Sequence, residues 1–141
     1  MIPLRRFKDD TVLRSAWLLV ISILSIFVVL RLLLYVSPNS DFYVGSYNIH
    51  HLFTGLIFIT AGGVPLAVYR GEGRLANLAI VLFGLGLGMA LDEWVYLTVT
   101  PGTNADYLLP VSFWGGVAAI GLACIYVVIL VLLLRRKRHR P

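Results

Sequence analysis

Four stretches of this chain stay apolar for the length that a bilayer demands, and the polar residues gather at their ends or, in a few places, inside them. The runs cover residues about 15–36, 47–69, 75–99 and 108–134. Each reaches the roughly 20 residues that cross a hydrocarbon core as a helix. Between the first two lies Ser37-Pro38-Asn39-Ser40-Asp41-Phe42-Tyr43-Val44-Gly45-Ser46, with turn residues at its start and an aromatic pair near its end. Arg70-Gly71-Glu72-Gly73-Arg74 is a short connection that makes antiparallel neighbours of the second and third runs. Thr100-Pro101-Gly102-Thr103-Asn104-Ala105-Asp106 ends the third. The pattern predicts an all-α polytopic membrane protein, an antiparallel four-transmembrane-helix bundle forming one membrane domain over residues 1–141 with a basic tail at 135–141. Pro65 should kink the inner third of the second span or end it early.

Composition agrees. The 141 residues are 59% hydrophobic and 13% charged, against roughly 25% charged in a water-soluble domain. The net charge of +5 raises the question of nucleic acid. The basic residues, however, sit at the ends of apolar runs and are not interleaved with aromatics on a polar surface, so nucleic acid is not an expected partner. Their distribution reads instead as topology. Arg5, Arg6, Lys8 and Arg14 precede the first run, Arg70 and Arg74 lie between the second and third, and Arg135, Arg136, Lys137, Arg138 and Arg140 follow the fourth. The other two loops have no Lys or Arg, so the positive-inside rule puts both termini and the middle loop in the cytoplasm of a multi-pass cell-membrane protein. The first apolar core exceeds the roughly 7–15 residues of a signal-peptide h-region, which predicts an uncleaved first span; a cleaved one, leaving three spans, is the alternative. The basic tail stops transfer, with contact to anionic headgroups as a lesser reading. Cys124 stands alone in an apolar run, so there is no disulfide framework and no CxxC motif.

The chemistry on offer lies in Gly84-Leu85-Gly86-Leu87-Gly88-Met89-Ala90-Leu91-Asp92-Glu93-Trp94, where two adjacent carboxylates interrupt an apolar span. Ionisable residues at membrane depth face a bundle interior or wet cavity and pair there. At about 1.5 Å per residue, Asp92 and Glu93 lie roughly 10 Å inside the outer end of span three, and His50 and His51 lie near the outer end of span two. Arg31 of span one falls between these levels, either snorkelling to the headgroups or turned inward toward a carboxylate. Three spans thus place their ionisable residues in one layer and predict one polar centre. Neighbours in a helix point about 100° apart, so one member of each pair should face inward. The stripes Gly84/Gly88/Asp92 and His51/Gly55/Phe58/Gly62 predict His51 against Asp92, since small residues let helices approach in lipid. Glu93 and His50 then point to other neighbours, Arg31 or a small-residue face of span four made by Ser112, Gly116 and Ala119.

Histidine nitrogen beside carboxylate oxygen suits zinc, iron or manganese, with His50, His51, Asp92 and Glu93 as candidate ligands from separate helices. The same residues with Arg31, taken as Arg31, His51, Asp92 and Glu93, suit a proton or ion relay. They equally suit an ion-pair network that fixes helix register in a structural or accessory subunit. The Gly84-x-Gly86-x-Gly88 run lacks the βαβ context of a dinucleotide fingerprint, and no GxSxG nucleophile motif is present. Because four short helices enclose little volume, a homo-oligomer or a membrane partner is expected beside the lipid bilayer.

The order Tyr47-Asn48-Ile49-His50-His51-Leu52-Phe53-Thr54-Gly55 and then Gly84-Leu85-Gly86-Leu87-Gly88-Met89-Ala90-Leu91-Asp92-Glu93 reads HHxxxG in one helix and GxGLGxxxDE in the next. It resembles a pattern of uncharacterised small prokaryotic four-helix integral membrane proteins. The resemblance covers spans two and three and implies that the HH and DE pairs belong together; it implies no reaction.

Overall fold

The computed structural model describes residues 4–37, 43–44, 47–48, 50–69 and 71–139. The chain runs α1 (Leu4–Val36), a two-residue antiparallel ladder of β1 (Tyr43–Val44) with β2 (Tyr47–Asn48), α2 (His51–Val68), α3 (Arg74–Val99), a single turn α4 (Asn104–Tyr107) and α5 (Pro110–His139). Four helices are long and apolar enough to cross a membrane: Thr11–Val36, His51–Val68, Arg74–Val99 and Pro110–Lys137. They alternate in direction. The ladder and α4 therefore lie at one end, the distal end, and the helix ends nearest the two termini at the other.

The helix limits shift from those of the apolar pattern for local reasons. The second helix starts at His51 and not near Tyr47, because Tyr47 and Asn48 give their backbone groups to the ladder and His50 is extended at φ −64°, ψ 151°. The fourth starts at Pro110, since proline suits a first helical position and disfavours helix in the residue before it. It also runs through the basic residues to His139, where Arg and Lys remain good helix formers outside lipid. Pro65 does not end α2 early: the helix continues through it to Val68, where the apolar run ends, with the Tyr69 N–H on the Pro65 carbonyl at 2.7 Å. The turn expected at residues 38–42 and the residue Arg70 lie outside the described residues.

The bundle is built around α3, which packs on α1, α2 and α5, whereas the main neighbour of α2 among the described residues is α3. Eight residues of α3 are buried, against two of α2 and, among the described residues, three each of α1 and α5. Glycine allows this. On one face of α3, a side chain at Gly84 or Gly88 would run into Leu19 and Ser22 or into Ile23 and Ile26 of α1. On another face, one at Gly86 would fall 2.5 Å from the Gly55 carbonyl and the Ile59 nitrogen of α2. Gly62 meets the backbone of Ala79 and Phe83 in the same way. In lipid, where no hydrophobic exclusion drives helices together, such backbone approach supplies the packing.

Gly86→Val should therefore push α2 off α3 and cost about 1–3 kcal/mol, the usual penalty for overpacking. Gly121→Ala, at a glycine with nothing within 4 Å of its missing side chain, should be neutral or slightly stabilising. Thermal unfolding in detergent measures both, and equal effects would show that the α2–α3 seam is not close-packed.

Candidate functional site

The two α3 faces end, toward the distal side, in the two carboxylates. Gly84, Gly88 and Asp92 follow one another at i, i+4 and i+8, so Asp92 continues the α1 face. Glu93 is turned about 100° away and continues the Gly86 face toward α2. Both are buried, at 0% and 2% exposure.

Asp92 meets Arg31. The Arg31 Nη2 and Nε donate to Asp92 Oδ1 at 2.5 and 3.0 Å. The guanidinium also donates from Nη1 to the Tyr107 carbonyl at 3.2 Å and from Nη2 to the Ser112 carbonyl at 3.1 Å. The other Asp92 oxygen accepts the Tyr107 hydroxyl. One arginine of α1 thus holds α3, α4 and α5 together, and its planar fork is the group suited to that. Aromatic rings enclose it, with Tyr107, Phe27 and Phe113 centroids at 4.4, 5.5 and 5.6 Å from the guanidinium carbon, where the ring faces attract a cation. Room for the clamp comes from Gly116, where a Cβ would fall 2.7 Å from Asp92 Oδ1.

Glu93 meets the start of α2. The backbone N–H of Leu52 donates to Glu93 Oε2 at 2.5 Å, while the N-cap residue His50 makes no side-chain cap of its own. A carboxylate from another helix thus satisfies a first-turn amide and faces the positive end of the α2 dipole. His50 Nδ1 and His51 Nδ1 each lie 3.4 Å from Glu93 Oε1, with the histidine side chains 23% and 38% exposed.

The expected layer of ionisable groups is there, but as two adjoining clusters with pairings other than those the stripes predict. His51 faces Glu93, not Asp92, and Arg31 turns inward to Asp92 and does not snorkel. The reason is the position of α2. The Gly84/Gly88 stripe packs on α1, so α2 is left with the next face round, where Glu93 projects. Ser112 and Gly116 do face the centre from α5. As for metal, no three His, Cys, Asp or Glu among the described residues converge as a metal-binding group, and both oxygens of Asp92 are engaged by donors.

Sequence reasoning missed Tyr107 and Tyr96. The segment between α3 and α5 folds back over the distal end. A capping box sets it, with Thr103 N–H on Asp106 Oδ2 at 3.0 Å and Asp106 N–H on Thr103 Oγ1 at 3.4 Å. Gly102, at φ 84°, makes the left-handed turn into it. Tyr96 donates to the Thr103 carbonyl at 3.1 Å and stacks edge-on to Tyr107 at 4.9 Å, with the His50 ring 6.2 Å away. The Thr103-x-x-Asp106 spacing was the readable signal for this turn of helix; nothing in the sequence aims Tyr107 at Asp92. Compared with known protein families, curated proteins and solved structures, the chain matches none.

Removing one partner of a buried pair strands the other charge and costs about 3–5 kcal/mol. Asp92→Ala should therefore destabilise the bundle by that order, and Arg31→Met combined with Asp92→Ala should recover part of the loss. In a double-mutant cycle from thermal unfolding in detergent, Arg31 and Asp92 should couple strongly, while His51 and Asp92 should be additive within about 0.5 kcal/mol. Strong coupling of His51 to Asp92 would show that the two meet in solution and that His51 is not committed to Glu93.

Proposed function

We propose that this chain is a multi-pass cell-membrane protein that binds protons at its distal end through His51 and Glu93, with His50 beside them, without carrying them across. The observation that carries the reading is the approach of two half-exposed imidazoles to one oxygen of a buried carboxylate at the N-terminus of α2. Histidine is the side chain whose ordinary charge change falls between pH 5 and 8, and here that change occurs against the anion that caps α2. The main neighbour of α2 among the described residues is α3, so a change at Glu93 bears directly on the α2–α3 seam. The basic residues at the terminal end of the bundle and in the α2–α3 loop support a cytoplasmic location for both termini, so the histidines would sample the outer compartment.

Conduction is not supported by a single chain. Below the charged layer the interior is filled by Ile23, Ala79, Met89 and Ile120. The hydroxyls of Ser22 and Ser25 are donated to carbonyls of their own helix at 2.7 and 3.1 Å. A path across would have to be built with a second copy or a membrane partner. A structural role remains the second reading, favoured by the clamp: four donations from one guanidinium are what a register lock needs and more than a mobile relay would use.

The groups facing the imidazoles are Glu93, the Tyr96 ring and the dipole of α2, with Asp92 committed to Arg31. Of these the carboxylate is nearest, so a proton on His51 adds an attraction to Glu93. The protein should unfold at a higher temperature at pH 5.5 than at pH 8, by about 1 kcal/mol, a modest figure because the His51 ring is part exposed. His50→Gln with His51→Gln should abolish the difference, and the chelator EDTA should leave it unchanged. A pH difference that survives the double substitution would favour the purely structural role, and one that disappears with EDTA would mean that a metal ion occupies the centre.

A further inference from the structure

The two ends of the bundle are closed differently. Before its midpoint α5 inserts Ser112, Gly116 and Ile120 into the protein, but from Gly121 to Lys137 it has no buried residue. Its terminal half and α1 line a groove of about 250 Å³. Leu13, Trp17, Val20 and Val128 wall it, Cys124 marks its deep end and Arg135 its mouth. From Cys124 to Arg135 the helix rises about 16 Å, close to half of the roughly 30 Å hydrocarbon thickness. The groove is thus one leaflet deep. Its volume spread over that length fits a single hydrocarbon chain and is far too narrow for a helix, which is about 10–12 Å across.

Charge at the mouth identifies the headgroup. Arg135, Arg136 and Lys137 are exposed, and among the described residues none of the three takes part in an ion pair. Trp17, 59% exposed, sits one turn inside Leu13, toward the end of the span where aromatic rings are enriched. We propose that the α1–α5 groove is a binding site for one anionic phospholipid, with an acyl chain along Trp17, Val20 and Val128 and the phosphate at Arg135. Such a lipid fills the groove beside the terminal half of α5, and it ties α5 to α1 at the end away from the Arg31 clamp. Independent of any proton chemistry, the site differs from the lipid shell around the bundle because two helices hold the chain between them.

The test uses the full chain with Trp94→Phe and Trp114→Phe, so that Trp17 is the single fluorophore, in phosphatidylcholine nanodiscs that contain a small fraction of lipid with brominated acyl chains. Brominated phosphatidylglycerol should quench Trp17 at about a fivefold lower mole fraction than brominated phosphatidylcholine, the factor for one basic side chain at an anionic headgroup. Arg135→Gln with Arg136→Gln and Lys137→Gln should erase the preference. Ala16→Leu, which fills the groove, should weaken quenching by both lipids. Equal quenching by the two lipids in the unsubstituted tail, or a preference that survives the three Gln substitutions, would overturn the proposal.

Discussion

A helix cannot point two consecutive residues the same way, and lipid does not leave a carboxylate unpartnered; together these facts organise the protein. Asp92 and Glu93 diverge by about 100°, so no single neighbour can satisfy both. Asp92 is met by an arginine from α1 and a tyrosine hydroxyl from the segment after α3, Glu93 by an amide and two imidazoles at the start of α2. Helix α3 is therefore the hub, and the glycines spaced along each of its two faces bring up the helix that each carboxylate needs.

The two arrangements differ in what they can do. Around Arg31 every bond runs to a group that stays put: a carboxylate, two backbone carbonyls and a shell of aromatic rings. Buried ion pairs of this kind add little net stability compared with apolar packing, yet they are costly to break, which suits a register lock. Around Glu93 the partners are part-exposed histidines at the start of a helix whose main neighbour among the described residues is α3. There the rings are open in part to water and lie at the distal end of the α2–α3 seam.

Much of this was legible in the sequence. The four spans, the alternating directions and the common depth of Arg31, His50, His51, Asp92 and Glu93 follow from run lengths and a rise per residue. The divergence of Asp92 from Glu93 follows from the helical repeat. What did not follow was which neighbour each face meets. Gly84-x-x-x-Gly88 and Gly55 are each compatible with any close-packed helix, and only the three-dimensional placement puts α1 on the first stripe and Gly86 on Gly55. For the same reason His51 pairs with Glu93. The Tyr107 contact was hidden because it depends on a single turn of helix between two membrane spans, too short to show any hydrophobic periodicity.

The division of labour between the two carboxylates is tested most directly by hydrogen–deuterium exchange in detergent on Asp92→Asn and Glu93→Gln. Asp92→Asn should raise exchange in residues 103–112, where Tyr107 and Ser112 lose their anchor, and leave the first turn of α2 as protected as before. Glu93→Gln should do the reverse, loosening residues 51–54 and sparing 103–112. If both substitutions loosen the same segments, the two carboxylates form a single site and do not divide the labour between them.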